Sequence, residues 1–247
     1  GWVGIEALSG IPGLTGATPI QNVGAYGQDV AQTIAQVRTY DRQERRVVTY
    51  AADDCGFGYR SSRFKHRDRW VVLSTSFQFR TGTLGAPVAY AELARALGIQ
   101  EDERAPLADV RAAVLDLRRG KGMVLDPADP DTRSAGSFFT NPILDAATAL
   151  RLPEDAPRWP QPDGSVKASA AWLIERAGFG KGTRSGSAAL SSKHTLAITT
   201  STPAHASDVI ALARLISGGV REAFGIDLIA EPTLVGFADG AIGGAQS

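Results

Sequence analysis

The sequence has a single cysteine, Cys55, among 247 residues. One thiol forms neither an internal disulfide nor a multi-cysteine zinc site. Its neighbours Gly56 and Phe57 are apolar, so Cys55 is expected to be buried rather than reactive. An excess of charge is missing too, because Lys+Arg and Asp+Glu both number 26. Nucleic-acid binders usually show a basic excess, which disfavours that class while leaving room for a local anion site. Long hydrophobic runs are absent, and none approaches the ~20 residues that span a bilayer. Neither an internal repeat nor a low-complexity segment occurs. These absences predict a cytoplasmic protein with no membrane or nucleic-acid partner and no metal. What is present is ordinary globular usage, 43% hydrophobic and 21% charged. The length suits one large domain or two modest ones.

The first thirty residues are rich in glycine and proline, with Pro12, Gly13, Gly16, Pro19, Gly24 and Gly27. Ile5, Leu8, Ile11, Leu14, Ile20 and Val23 are interleaved with them, which predicts packed turns and close backbone approach to a ligand. Ile34–Tyr40 and Arg46–Tyr50 flank the polar turn 41–44 and predict a hairpin. Trp70–Phe79 reads as another strand. Helices are predicted over Tyr90–Leu97, closed by Gly98, and over Ala105–Arg119, where Pro106 suits a first turn. The stretch 126–131 is acidic, rich in proline and reads as a linker near a domain boundary. Beyond it the pattern predicts a helix near Ser165–Ala177, a strand near Thr195–Thr200 and a long helix over Ser207–Phe224. Ser207 is the expected N-cap of that last helix, and Val209, Leu212, Ile216 and Val220 form one stripe.

Five blocks occur in order along the chain. The first runs from Gly4 to Gly27 and contains Pro19-Ile20-Gln21-Asn22-Val23-Gly24-Ala25-Tyr26. The others are Phe57-Gly58-Tyr59-Arg60-Ser61-Ser62-Arg63-Phe64-Lys65, Ala135-Gly136-Ser137-Phe138-Phe139-Thr140-Asn141-Pro142, Asp163-Gly164-Ser165-Val166-Lys167 and Glu231-Pro232. Any one of them alone is weak, but the ordered set covers nearly the whole chain. It resembles the MurB family of UDP-N-acetylenolpyruvoylglucosamine reductases.

That resemblance implies an α+β fold, with part of a PCMH-like FAD-binding domain and a MurB C-terminal-type substrate domain. The expected division is 1–122, with 226–247 returning to it, and 123–225 for the substrate domain. The implied cofactors are FAD and NADPH, and the implied partner is a UDP-sugar. The implied reaction reduces UDP-N-acetylglucosamine enolpyruvate to UDP-N-acetylmuramate. Hydride addition leaves negative charge spread toward a carboxylate, and a proton must then reach the neighbouring carbon. The resemblance places Arg60 as the cation that stabilises this charge, Ser137 as proton donor and Glu231 as its partner in the proton network. By themselves these would read as a strand-end arginine, a turn serine and a surface glutamate.

Pro19, Ile20, Gln21, Gly24, Ala25 and Tyr26 match positions that face the flavin. Tyr59, Tyr90, Lys121, Asn141, Trp159 and His194 match the substrate pocket, with Tyr90, Lys121 and Asn141 toward the diphosphate. Trp159 reads nearly as well as a core tryptophan, and Lys167 receives no role. In the family a glycine-rich pyrophosphate loop precedes the block at Gly4, and this sequence contains no such loop. The connection from Lys121 to Ser137 is also longer than in many relatives. Two alternatives follow: a nucleotide-sugar-binding fragment without flavin or turnover, and another flavin oxidase sharing the domain type. The blocks at 135–141 and 231–232 argue against the second.

Overall fold

The computed structural model describes residues 1–238 and 240–242. The chain forms two compact units, Gly1–Gly120 and Lys121–Ser247. Both mix strands and helices, in line with the α+β expectation.

The strands of the first unit are β1 (Trp2–Val3), β2 (Gly24–Ala25), β3 (Gln28–Asp29), β4 (Ile34–Asp41), β5 (Arg46–Ala51), β6 (Trp70–Phe77) and β7 (Arg80–Thr81). Helices α1 (Ala91–Leu97) and α2 (Leu107–Gly120) follow. β4 lies between β5 and β6, antiparallel to both. Its alternation explains the sheet: Val37, Thr39 and Asp41 are buried, while Tyr40 points outward across from Val47 and Val71. Val30, Ile34, Val37, Cys55 and Phe64 form the core beneath this sheet. Burial pushes the Cys55 thiol up to about 11, consistent with an inert core residue.

A second small core joins Ala7 and Val88 to Leu93, Ala94, Val110 and Val114 of α1 and α2. Each fully buried valine or leucine there contributes about 1.5–3 kcal/mol. Gly98 closes α1 in the left-handed region, at φ 68°. The opening segment is folded into the expected packed turns, with Leu8, Ile20 and Val23 packed on the core, and it also forms the short strands β2 and β3, which were not expected. Leu14 is the exception at 79% exposed.

The second unit holds β8 (Ser134–Ser137), β9 (Ile143–Leu144), α3 (Ala146–Leu150), β10 (Arg158–Pro160), β11 (Val166–Ala168), α4 (Ala170–Arg176), β12 (Arg184–Ser185), β13 (Ala188–Leu190), β14 (Ala197–Thr200) and α5 (Ala206–Phe224). One antiparallel sheet has the order β12-β13-β14-β8, and a smaller one the order β10-β11-β9. α5 turns Leu212, Ile216 and Val220 into the core with Phe139, Leu173, Ile174 and Leu190.

Several expectations change here. The helix expected from Ser165 begins at Ala170, because Val166 and Lys167 pair with β9 and β10 as strand β11. Ser169 supplies the cap instead, accepting the Trp172 N–H at 3.3 Å. The N-cap of α5 is His205 rather than Ser207. That helix start is fixed by Ser187, whose hydroxyl donates to Asp208 at 2.6 Å and accepts the His205 N–H at 3.2 Å.

The stretch 126–131 is not a loose linker. Asp131 is buried and accepts the N–H (3.0 Å) and hydroxyl (2.6 Å) of Ser192, while Lys193 Nζ reaches Asp129 at 2.6 Å. The chain divides before this loop, at Gly120–Lys121. Packing also differs for the expected return of 226–247 to the first domain. Ile226, Leu228, Ala230 and Ile242 belong to the second unit's core, because their apolar side chains are buried in one cluster with Phe139 and the inward residues of α5. Residues 239 and 243–247 of that span lie outside the described residues. No helix among the described residues is long and apolar enough to cross a membrane.

Candidate active site

In the first unit, two loops are tied into one structure. The first runs through Pro19–Asp29, where β2 and β3 pair as Gly24↔Asp29 and Ala25↔Gln28. Tyr26 sits at the tip with φ 50°, and Asn22 below it has φ 48°. Non-glycine residues in this left-handed region carry strain and concentrate at functional sites. The second loop is the tight turn Gly58–Ser61, closed by Gly58 N–H to Ser61 O (3.0 Å) and Ser61 N–H to Gly58 O (3.2 Å). Tyr59 and Arg60 are its central residues, and Arg60 too is left-handed at φ 51°.

Arg60 Nη2 donates to Gly24 O at 2.7 Å, and Lys65 Nζ donates to Arg60 O at 2.8 Å. The guanidinium also lies 5.3 Å from the Tyr59 ring centroid. Ser62 Oγ donates to Ile20 O at 2.5 Å, a second tie between the loops. The structure therefore brings Arg60 and Tyr59 together with the Pro19–Tyr26 stretch. Tyr90, at the N-cap of α1, meets Tyr26 edge to face at 5.4 Å. Burial, then the nearby Glu92, pushes the Tyr26 hydroxyl up to about 12, against the opposing pull of Arg118.

The base of this assembly is polar and buried. Glu6 accepts the N–H of Gly4 (2.7 Å) and of Ala86 (2.5 Å), and Gln28 Oε1 accepts the Ala7 N–H at 2.8 Å. Burial raises the Glu6 carboxyl, but these backbone donors outweigh it and leave it below the ordinary carboxylate range.

In the second unit, Ser137 ends β8 and pairs with Ala197 of β14. The next residue, Phe138, donates its N–H to Leu196 O (2.7 Å) and accepts the Glu231 N–H (2.8 Å). Phe139 and Ala230 form a further antiparallel bridge. Ser137 and Glu231 thus stand on neighbouring backbone segments. His194 is half-buried in the turn just before β14, where its N–H donates to Ser191 Oγ at 3.2 Å. Asp131 and Ser192 brace that same turn.

Asn141 Oδ1 accepts the Ala170 N–H at 3.0 Å, so this side chain caps α4. Trp159 is 43% exposed on β10, opposite Lys167 of β11, whose Nζ lies 5.7 Å from its ring centroid. The exposure sets aside the core-tryptophan reading. Lys121 is half-buried at the first position of the second unit.

Residues 127–235 match the family model described as the UDP-N-acetylenolpyruvoylglucosamine reductase C-terminal domain. Over 246 residues the chain is 55% identical to the UDP-N-acetylenolpyruvoylglucosamine reductase of Thermobifida fusca, covering 96% of this chain and 69% of that protein. It is 58% identical to the enzyme of the same name from Salinispora arenicola, covering 96% and 68%. The chain belongs to the UDP-N-acetylenolpyruvoylglucosamine reductase family. That makes it a member of an oxidoreductase family. A crystal structure of the Thermus caldophilus reductase (MurB) matches with a TM-score of 0.58 at 24% identity, over 94% of this chain and 64% of that one, and supports the fold alone. The chain spans about two thirds of the length of these relatives.

Within this reductase family member, sequence reasoning passed over Asn22, Gln28 and Asp131. Asn22 lies inside the block at Gly4–Gly27, and a polar residue there, just ahead of a glycine hairpin, was the available signal. Asp131 had none, because its partner Ser192 is remote in sequence. Among the described residues, no group of three or more His, Cys, Asp or Glu is arranged to hold a metal.

Proposed function

We propose that the chain serves the NADPH-dependent reduction of UDP-N-acetylglucosamine enolpyruvate to UDP-N-acetylmuramate. The observation that carries this reading is the pairing of the Ser137 and Glu231 segments across Phe138, in a chain of this family. A proton donor and a carboxylate on adjacent segments suit the delivery of one proton to carbon.

The first unit fits the ring end of a flavin. Gly13 and Gly16 have open space where a Cβ would stand, and Gly24–Tyr26 forms a half-buried hairpin that a flat ring could approach. When bound, FAD supplies the hydride-transfer chemistry, with NADPH as the source of reducing equivalents. In this proposal Pro19, Ile20, Gln21, Gly24, Ala25 and Tyr26 hold and orient that group. Arg60 stabilises the negative charge that develops toward the substrate carboxylate. Its guanidinium is suited to this because Gly24 O and the Tyr59 ring already fix its direction. Ser137 donates the proton from Oγ, and Glu231 sets the proton network behind it. Tyr59, Tyr90, Lys121, Asn141, Trp159 and His194 bind the UDP-sugar.

The test measures NADPH oxidation by the purified protein with and without the enolpyruvyl UDP-sugar, alongside a visible absorbance spectrum. Substrate-dependent oxidation is expected when FAD is supplied, with the flavin itself held weakly, because the sequence contains no glycine-rich pyrophosphate loop. UDP-sugar binding with neither flavin nor NADPH oxidation would instead establish the nucleotide-sugar-binding reading.

A further inference from the structure

We infer that Asn22 is a positioning residue for Arg60, locking the hairpin that carries Gly24 to the turn that carries the guanidinium. The inference rests on the role proposed for Arg60. Asn22 is 4% exposed, and both ends of its amide are engaged. Nδ2 donates to Gly58 O at 3.0 Å, and Oδ1 accepts the Ala31 N–H at 3.0 Å. The partner types, a carbonyl and an N–H, fix which end is which. Its φ of 48° is one that asparagine tolerates better than most side chains.

These bonds complete a circuit. From Asn22 the backbone runs two residues to Gly24, whose carbonyl accepts Arg60 Nη2 at 2.7 Å. From Arg60 the backbone runs back through Tyr59 to Gly58, whose carbonyl accepts both the Ser61 N–H and Asn22 Nδ2. The guanidinium is therefore held at its head by the hairpin, and at its backbone by a turn anchored to that same hairpin. Without Nδ2 the Gly58–Ser61 turn keeps its internal bonds and the Ser62–Ile20 tie, so the loops stay folded. What is lost is the fixed distance between Gly24 and the Arg60 backbone. A guanidinium aimed at developing charge is sensitive to that distance, since a displacement of about 1 Å can cost about 10²-fold in rate.

Two variants test this. Asn22→Asp keeps the left-handed preference and the acceptor for Ala31, but presents a carboxylate oxygen to Gly58 O. Asn22→Gly keeps the backbone conformation and removes both bonds. In each, amide hydrogen exchange over residues 58–62 of the 247-residue chain should speed up, while the amides of β4 stay protected. With FAD supplied, reduction by NADPH should keep its rate. Reoxidation by the enolpyruvyl substrate should slow about 10- to 100-fold. Unchanged exchange over 58–62, or equal slowing of both half-reactions, would overturn the inference. The exchange measurement needs no turnover, so it still judges the coupling if the wild-type protein proves not to be a reductase.

Discussion

The Glu231 N–H donates to the carbonyl of Phe138 at 2.8 Å, which places Glu231 beside the end of the strand carrying Ser137. Phe138 bonds on both sides, since its own N–H goes to Leu196 O at 2.7 Å. Three backbone segments therefore meet at one aromatic residue that is itself buried against Phe139. Anchored this way, the backbones of Ser137 and Glu231 have little freedom to drift, as the proton delivery proposed for them would require.

Replacing Ser137 by alanine should separate the two half-reactions. Flavin reduction by NADPH needs no proton from this hydroxyl and should be nearly unchanged. Reoxidation by the enolpyruvyl substrate should slow by about 10²-fold or more, the low end for losing a positioned proton donor. Stopped-flow absorbance follows both steps, and equal slowing would assign Ser137 a structural role only.

Gly24→Ala should damage the seat of Arg60. A Cβ at this position would stand 2.8 Å from Gln28 O and 3.1 Å from Arg60 Nη1. The first neighbour is backbone and cannot yield without opening the β2–β3 hairpin. Overpacking of this kind typically costs about 1–3 kcal/mol. Chemical denaturation should show a loss in that range. A variant as stable as the parent would mean that the hairpin is softer than its contacts indicate.

The sequence made local order legible and non-local pairing opaque. β4, β5 and the turn between them followed from two β-rich runs and a polar break, and α5 from its stripe at Leu212, Ile216 and Val220. Val166 and Lys167 looked continuous with the helix after them, because only their pairing with Leu144, Ile143, Trp159 and Pro160 makes them a strand. Asp129 and Asp131 have the composition of a solvated linker, and Ser192 and Lys193 alone reveal the clamp. At the candidate site, ordered motifs singled out Arg60, Ser137 and Glu231. The work of Asn22 stayed hidden because its partner, Gly58, lies in a different motif.

Asn141 should show two separable effects. Its Oδ1 accepts the Ala170 N–H at the start of α4, so Asn141→Ala should cost about 1 kcal/mol of stability, as loss of a helix cap does. Asn141→Asp keeps an acceptor there and should retain most of that stability. Both should raise the KM for the UDP-sugar if Asn141 faces the diphosphate, and the aspartate more so, through like-charge repulsion. An unchanged KM in both variants would confine Asn141 to capping α4.

The stability of the first unit should depend on acid pH through Asp41. Its side chain is 1% exposed and accepts Arg69 Nη2 at 2.7 Å and Nε at 2.8 Å. It also accepts the N–H groups of Gln43 and Glu44, both at 3.0 Å, and so holds the β4–β5 turn. The hydrogen bond from Arg69 is the largest influence, and it holds the Asp41 carboxyl down at about 2 against the opposing effect of burial. An unfolded chain has an aspartate near about 3.9. As pH falls, the unfolded state takes up the proton first. The contribution of Asp41 is therefore complete above about pH 5, shrinks below about 3.9 and is gone once pH passes below about 2. An asparagine side chain at this position cannot titrate, so the Tm gap between wild type and Asp41→Asn should be widest near neutral pH and close toward about pH 2. Other carboxylates held low, such as Glu6 and Asp208, are common to both proteins and cancel in the gap. Thermal melts across this range decide the matter, and a gap that stays constant with pH would show that the Arg69 contact does not set the protonation of Asp41.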